Sequence, residues 1–256
     1  MSALPLYLLH MRPDARLLAT WIARHQARHA RQPEDLGDAL HGLLRAAFGT
    51  RAPQPFRYFD DRRGLLAYTP LTPEQLRTRL AHAEPLVAQT LGLTANAHTP
   101  GWRARPLPSQ WPNGHVLAFE VRVRPTMRAA RGEQDAYLHA ARQAPETALQ
   151  RQAVYVNWLR QRLAAKEGQP PARWQSAVEL LDDVHLVAYR RLRIRRRTQA
   201  TAAQARHGHV IDGPDAVLAG HLRISDPAAF MHLLARGVGR HRAFGYGMLL
   251  LKPATC

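Results

Sequence analysis

Two Gly-apolar-Gly pairs, Gly237-Val238-Gly239 and Gly245-Tyr246-Gly247, flank five residues, Arg240-His241-Arg242-Ala243-Phe244. Glycine takes up positive φ without strain and lets another backbone come where a Cβ would collide. A doubled pair therefore restricts the fold to one in which the chain turns twice at close quarters. The preceding run, Pro227 to Arg236, has helical spacing, with Ser225 or Asp226 as N-cap and Pro227 at N1. The following run, Met248 to Lys252, has the apolar character of a buried strand. A helix C-cap followed by a turn explains one glycine pair. The doubled pattern with cations at its tip predicts a loop that holds a phosphate backbone.

Charge points the same way. The chain has a formal net charge of +17, with 36 basic residues against 19 acidic ones. Only Lys166 and Lys252 are lysines, so the other 34 are arginines, which grip phosphate bidentately and stack on bases. A GC-rich genome accounts for the choice of arginine but not for the excess of charge. Nucleic acid is the expected partner. The only cysteine is Cys256, which excludes an intrachain disulfide or a cysteine zinc site and suits a reducing, cytoplasmic compartment. The apolar run from Met1 to His10 lacks a basic leader and a small-residue cleavage site, so it is expected to be a strand and not a signal peptide. Nothing reaches membrane-spanning length, and no membrane contact is expected.

At 256 residues the chain can hold one large or two small domains. Leu4 to Met11 predicts a strand, Ala15 to Arg31 and Leu36 to Phe48 two helices, and Pro55 to Asp61 with Gly64 to Thr69 a hairpin. Thr72-Pro73-Glu74-Gln75 opens another helix. After an irregular Gly101 to Gly114, the alternation of Val116 to Arg124 predicts the strand that closes a β-α-β-β-α-β, ferredoxin-like unit. Arg122 and Arg124 are expected to project, exposed, from its outer face. Gln134 to Ala144 and Pro145 to Lys166 predict a helical module standing apart from both sheets. Val184 to Arg197 predicts a strand with Leu192 and Ile194 on one face and a rail of Arg191, Arg193 and Arg195 on the other. Thr198 to Asp215 reads as a mobile loop, and Ala216 to Ile224 as a strand. The expected architecture is α+β: two ferredoxin-like units side by side with antiparallel sheets, plus an inserted helical module. Its divisions are an amino-terminal unit at 1–125, the helical insert at 126–172 and a carboxy-terminal unit with the glycine loop at 173–256.

With the glycine loop between the last helix and last strand of its second unit, the chain resembles the repeat-associated RNA-binding superfamily of CRISPR systems. The His115 to Pro125 strand, the Trp158 to Leu163 helix and the Ala216 to Pro253 tail are similar to endoribonucleases that cut precursor CRISPR RNA, especially the type I-E branch. The longer amino-terminal helical region, the helical insert and the Thr198 to Asp215 loop depart from compact type I-E members and fit a divergent relative, such as one of type IV systems. The resemblance implies a metal-independent endoribonuclease that cuts a repeat hairpin at the 3′ base of its stem. It further implies that the enzyme keeps its product as a subunit of an effector complex.

Such chemistry asks little of the protein. RNA carries its own nucleophile, the 2′-OH; a base, an acid and cations around the phosphorane complete the site, with no cofactor and no metal. Among 14 histidines, His41 is the candidate base, because Asp35 to Leu44 with Phe48 is similar to the family's first-helix motif, a leucine-histidine pair before a glycine and two large apolar residues. Arg242 in the loop is the candidate transition-state cation and Arg24 a further catalytic candidate, an arginine-only site being the alternative. His25 and His29, four apart on the first helix, are the other histidine candidates. Their spacing also suits zinc, but no glutamate or third ligand accompanies it. The candidate RNA contacts are Gly237, Gly239, Arg240, His241, Gly245 and Gly247 in the loop. Arg45, Arg122, Arg124, Arg128, Arg191, Arg193 and Arg195 add to them elsewhere. Two other classes stay open: a non-catalytic RNA-binding scaffold of a CRISPR ribonucleoprotein, and a basic DNA-binding protein, although no helix-turn-helix or zinc-finger spacing supports the latter.

Overall fold

A computed structural model describes residues 5–26, 36–94, 101–129, 132–165, 172–197 and 208–254. The first unit starts with β1 (Tyr7–Met11), followed by α1 (Ala15–Gln26) and α2 (Gly37–Phe48), the hairpin strands β2 (Phe56–Tyr58) and β3 (Leu65–Thr69), then α3 (Pro73–Ala81), α4 (Pro85–Thr90) and β4 (Trp102–Pro106). Its sheet order is β2-β3-β1-β4, with every pairing antiparallel. That is the ferredoxin-like order with each crossover helix doubled. On α2, Leu40, Leu43, Leu44, Ala47 and Phe48 are buried, the spacing of one helical face. They join Leu9, Met11, Leu65 and Leu76 in the first core. Thr72 caps α3 through a full capping box with Gln75, with Pro73 at N1, as the sequence predicts.

The second unit runs β5 (Val116–Val123), a hairpin of β6 (Thr126–Ala129) and β7 (Gly132–Asp135), α5 (Ala136–Gln143), α6 (Arg151–Leu163), β8 (Val178–Leu180), β9 (His185–Arg197), β10 (Gly208–Ile224), α7 (Pro227–Arg236) and β11 (Leu249–Pro253). Its sheet is ordered β11-β5-β10-β8, and β9 pairs with β10 farther along. The same ferredoxin-like order therefore recurs, with β5, β10 and β11 in the places of β1, β3 and β4. Two antiparallel ferredoxin-like units is the architecture expected.

Strand membership differs from expectation. Val116–Val123 does not close the first sheet; it pairs with β10 and β11. Its inward residues Leu117, Phe119, Val121 and Val123 are buried in the second core with Phe230 of α7. The first sheet is closed instead by β4, in the stretch expected to be irregular. This edge strand, Trp-Arg-Ala-Arg-Pro, is half-buried to exposed and leaves no clear alternation. The central helices do not stand apart either. Tyr155, Val156, Trp158, Leu159 and Leu163 of α6 are buried among Val121, Leu218 and Phe230, making α6 the crossover after β5. The β6–β7 hairpin was not foreseen. The strand β10 begins at Gly208 rather than Ala216, held to β9 by a ladder from Gly208↔Arg197 to Ala219↔His185. Residues 198–207, the rest of the expected loop, lie outside the described residues.

The units are joined through buried polar contacts. Tyr68 Oη on β3 donates to the Leu249 carbonyl on β11 at 2.7 Å, and Leu6 and Tyr68 extend into the second core. Among the described residues no helix is long and apolar enough to cross a membrane.

Candidate functional site

The glycine loop leaves α7 at Gly237 (φ 75°) and reaches β11 after Gly247 (φ 76°). Val238 N–H donates to the Gly247 carbonyl at 2.8 Å, and Gly247 N–H to the Arg122 carbonyl at 2.7 Å. A Cβ on Gly247 would strike the Val238 carbonyl, and one on Gly237 would lie 2.7 Å from the Gly247 oxygen. The glycines thus build a neck, backbone against backbone. Gly239 faces Trp158 and Gly245 faces Phe56, so much of the bare backbone turns toward protein. What the neck presents is its tip, where His241 is left-handed (φ 60°) and Arg242–Phe244 forms one 3-10 turn.

The tip's cations are held in place. Glu133 on β7 accepts from Arg240 Nη1 at 2.7 Å and binds His241 Nε2 at 2.9 Å. Burial pushes the Glu133 carboxyl up, but the hydrogen bonds from His241 and Arg240 outweigh it and hold it down at about 2. Arg242 Nη1 donates to the Arg236 carbonyl at 2.8 Å, and its half-burial lowers its pKa. Arg236 lies flat on Trp174 at 3.8 Å. Burial, then the neighbouring Arg242, brings it to about 10.

His41 meets this loop from the other unit. Its ring centroid is 4.7 Å from that of Phe244, which is 6.4 Å from His241. Arg45, one turn farther along α2, is exposed. Arg24 lies exposed near the end of α1, so the structure brings His41 to the loop of Arg242 but leaves Arg24 on the outer surface of its helix. The side chain of His25 and all of His29 lie outside the described residues. Among the described residues no cluster of three His, Cys, Asp or Glu side chains could hold a metal ion.

The sheet arginines divide into two groups. Arg191 and Arg193 are exposed on β9, Arg191 pairing with Asp212 at 2.9 Å. Arg195 lies opposite Val210 in the ladder, its side chain outside the described residues. Arg128 is exposed on β6, paired in register with Glu133. Arg122 and Arg124 are not the exposed pair expected. Arg122 is clamped to Asp215 at 2.6 and 2.8 Å and lies over Tyr246 at 4.4 Å. Arg124 is 1% exposed, beneath β10 where Gly213 leaves room for its guanidinium. The face of β5 that carries Arg122 is turned toward the first unit, where its neighbour Glu120 meets Arg57, and Arg124, just past the strand's end, is covered by β10.

A family model for CRISPR-associated proteins matches residues 6–253. The chain belongs to that family. No protein of the curated set matches it. Among solved structures, this CRISPR-associated chain is similar to CRISPR endoribonuclease Cse3 bound to a 19-nucleotide RNA, with 19% identity over 97% of this chain and 100% of that one and a TM-score of 0.59. Cse3 of Thermus thermophilus, bound to an RNA representing a pre-cleavage complex, gives 18% identity, 97% and 100% coverage and a TM-score of 0.55. A chain of a CRISPR RNA-guided surveillance complex in a pre-nicking state gives 19%, 96% and 99%, and 0.54. At these identities the likeness shows a shared fold.

Three residues of the CRISPR-associated chain's site escaped the sequence reading. Glu133 sits in Gly-Glu-Gln-Asp, with nothing local to tie it to a loop more than 100 residues away. Phe244 and Tyr246 received no role from the sequence, yet Phe244 meets the His41 ring and Tyr246 lies under Arg122.

Proposed function

We propose that this chain is an endoribonuclease of CRISPR RNA maturation, cutting a repeat hairpin at the 3′ base of its stem and keeping the hairpin as a subunit of an effector complex. The observation that carries the reading is the meeting of His41, from the first unit, with the cationic loop of the second at 4.7 Å. A histidine titrates near neutrality, and beside a phosphodiester it can take the proton of the 2′-OH. Arg242 then offsets charge on the phosphorane without giving up its own proton. The attack forms the 2′-O–P bond and breaks the P–O5′ bond, the leaving O5′ takes a proton from water, and the products are a 2′,3′-cyclic phosphate and a 5′-hydroxyl. Arg24, exposed on α1, is a catalytic candidate only if bound RNA reaches it. The glycine loop from Gly237 to Gly247 and Arg45, Arg128, Arg191, Arg193 and Arg195 remain the proposed RNA contacts, without Arg122 and Arg124, whose guanidinium groups are turned to protein. The family membership and a fold shared with RNA-bound endoribonucleases support this reading.

The test is incubation of the protein, in EDTA, with an end-labelled repeat hairpin. Cleavage to cyclic-phosphate and 5′-hydroxyl ends is expected. Intact but bound RNA would make the protein a scaffold, a 5′-phosphate product would require a metal-dependent route, and preference for duplex DNA at matched salt would make it a DNA-binding protein.

A further inference from the structure

Between the two units lies a cleft of about 510 Å³, floored by β2 and the start of α2 on one side and by β5, β9 and β10 on the other. Its volume falls within the range of small-ligand pockets, roughly 300–1,000 Å³. Arg57, Arg63, Arg122 and Arg190 line it against two carboxylates, Asp60 and Asp215. Asp215 is consumed by Arg122 and Arg190, at 2.6 and 2.7 Å. Asp60 accepts the Arg63 backbone N–H in its own turn.

Arg57 is left over. Its side chain is 13% exposed, and its nearest carboxylate, Glu120, is 3.6 Å from Nη2. Nε and Nη1 are buried without a hydrogen-bond partner among the described residues. A buried cation with unmade hydrogen bonds is costly and marks a place where an anion belongs. Burial, then the repulsion of Arg122, already lowers its pKa to about 10. The wall beside it is aromatic. Phe59 carries the Arg63 guanidinium at 4.1 Å, and Tyr189, 38% exposed, lines the same cleft with the Arg151 guanidinium over its ring at 4.1 Å, so stacking uses ring surface these arginines leave open. Phe244 lines the cleft as well as touching His41, so the cavity adjoins the proposed point of cutting.

We propose that this cleft receives one unpaired nucleotide of the bound RNA, next to the scissile linkage, with its phosphate on Arg57 and its base on the wall of Phe59 and Tyr189. The inference rests on the reading of the chain as an RNA-cutting enzyme and adds a specificity pocket to it. Base stacking accepts any π face, whereas the guanidinium fork demands a phosphate at fixed distance. The pocket therefore selects for an unpaired residue at one position more than for a particular base.

The experiment is a double-mutant cycle on the intact protein. The RNA that copurifies is sequenced at both ends and resynthesised, with each unpaired position beside the stem replaced in turn by an abasic residue or flanked by a methylphosphonate. One abasic position should weaken hairpin binding about tenfold in the wild type, the lower range for a base–aromatic stack, and less than about twofold in Tyr189→Ala. The methylphosphonate at that position should behave likewise against Arg57→Ala, with Arg57→Lys intermediate. Losses that multiply independently at every position would overturn the pocket, and a cavity built for a free nucleotide would give that result. Tyr189→Ala changes a partly exposed side chain and keeps the test open should Arg57→Ala fail to fold. Because binding is the readout, a wild type that binds the hairpin without cutting it defeats the endoribonuclease reading alone, and the cycle still decides the pocket.

Discussion

Each ferredoxin-like unit ends with a helix that returns to a last strand through a glycine-flanked crossover, and the two crossovers differ in the sequence between their glycines. In the first unit α4 leads to β4 by way of Gly92 and Gly101; in the second α7 leads to β11 by way of Gly237 and Gly247. A Cβ on Gly92 would strike the Arg12 carbonyl, and one on Gly101 would lie 2.6 Å from the Gly92 oxygen. In the neck of the second unit both close approaches are internal, Gly247 on Val238 and Gly237 on Gly247, where in the first Gly92 meets Arg12 outside the crossover. Yet Leu93 to Pro100 contains no arginine, whereas Val238 to Tyr246 contains Arg240, His241 and Arg242. Glycine in both places serves backbone closure. The second loop differs in its basic insert and in the residue of the first unit that it meets, His41.

The largest effects should test whether the necks are equivalent. Gly247→Ala and Gly92→Ala each combine left-handed strain with a collision against fixed backbone and should cost about 3–4 kcal/mol, read as denaturant midpoints. Tolerance of one but not the other would break the comparison. His41→Ala should slow hairpin cleavage at least about a hundredfold with binding nearly unchanged, while His98→Ala, the histidine of the first insert, should leave the rate alone. Equal loss of binding and cleavage in His41→Ala would make that residue structural. Arg242→Ala should slow cleavage about tenfold, the value of one charged hydrogen bond; normal turnover would move the cation elsewhere.

The smallest effect is acid sensitivity. The folded-state Glu133 pKa, about 2, lies below the ordinary 4.5. Its ion pairs therefore contribute fully above 4.5, and the contribution is lost as pH falls from there toward 2. Between pH 7 and pH 4 the wild type should lose about 1 kcal/mol more than Glu133→Gln, measured by urea unfolding at both values. Parallel losses would mean that the loop tip is not anchored by this carboxylate.

Local signals were the legible part of the chain. The Thr72 and Asp226 caps, the prolines at N1 and the apolar faces of α2 and α7 marked helices that the structure shows nearly residue for residue. The β4 edge strand was hidden by its arginines and proline. The start of β10, Gly-His-Val-Ile-Asp-Gly-Pro-Asp, carries two glycines and a proline that argue for a loop; its ladder with β9 overrides them. The alternation of β5 correctly announced a strand, but alternation does not say which sheet a strand joins. That is why Arg122 and Arg124 were misplaced to an open surface.

By itself the sequence determined most of the helices and strands of an α+β chain, a glycine-closed loop with a basic tip, and a histidine on an early helix. Each follows from propensity, capping or periodicity within a few neighbouring residues. Only the tertiary structure decided that β5 opens the second sheet, that Glu133 holds Arg240 and His241 from more than 100 residues away, and that Arg57 is buried in the cleft with two nitrogens lacking hydrogen-bond partners among the described residues. Those facts depend on which surfaces meet when two cores are buried side by side, and a pairing free energy between distant residues leaves no mark on the short-range pattern of either segment.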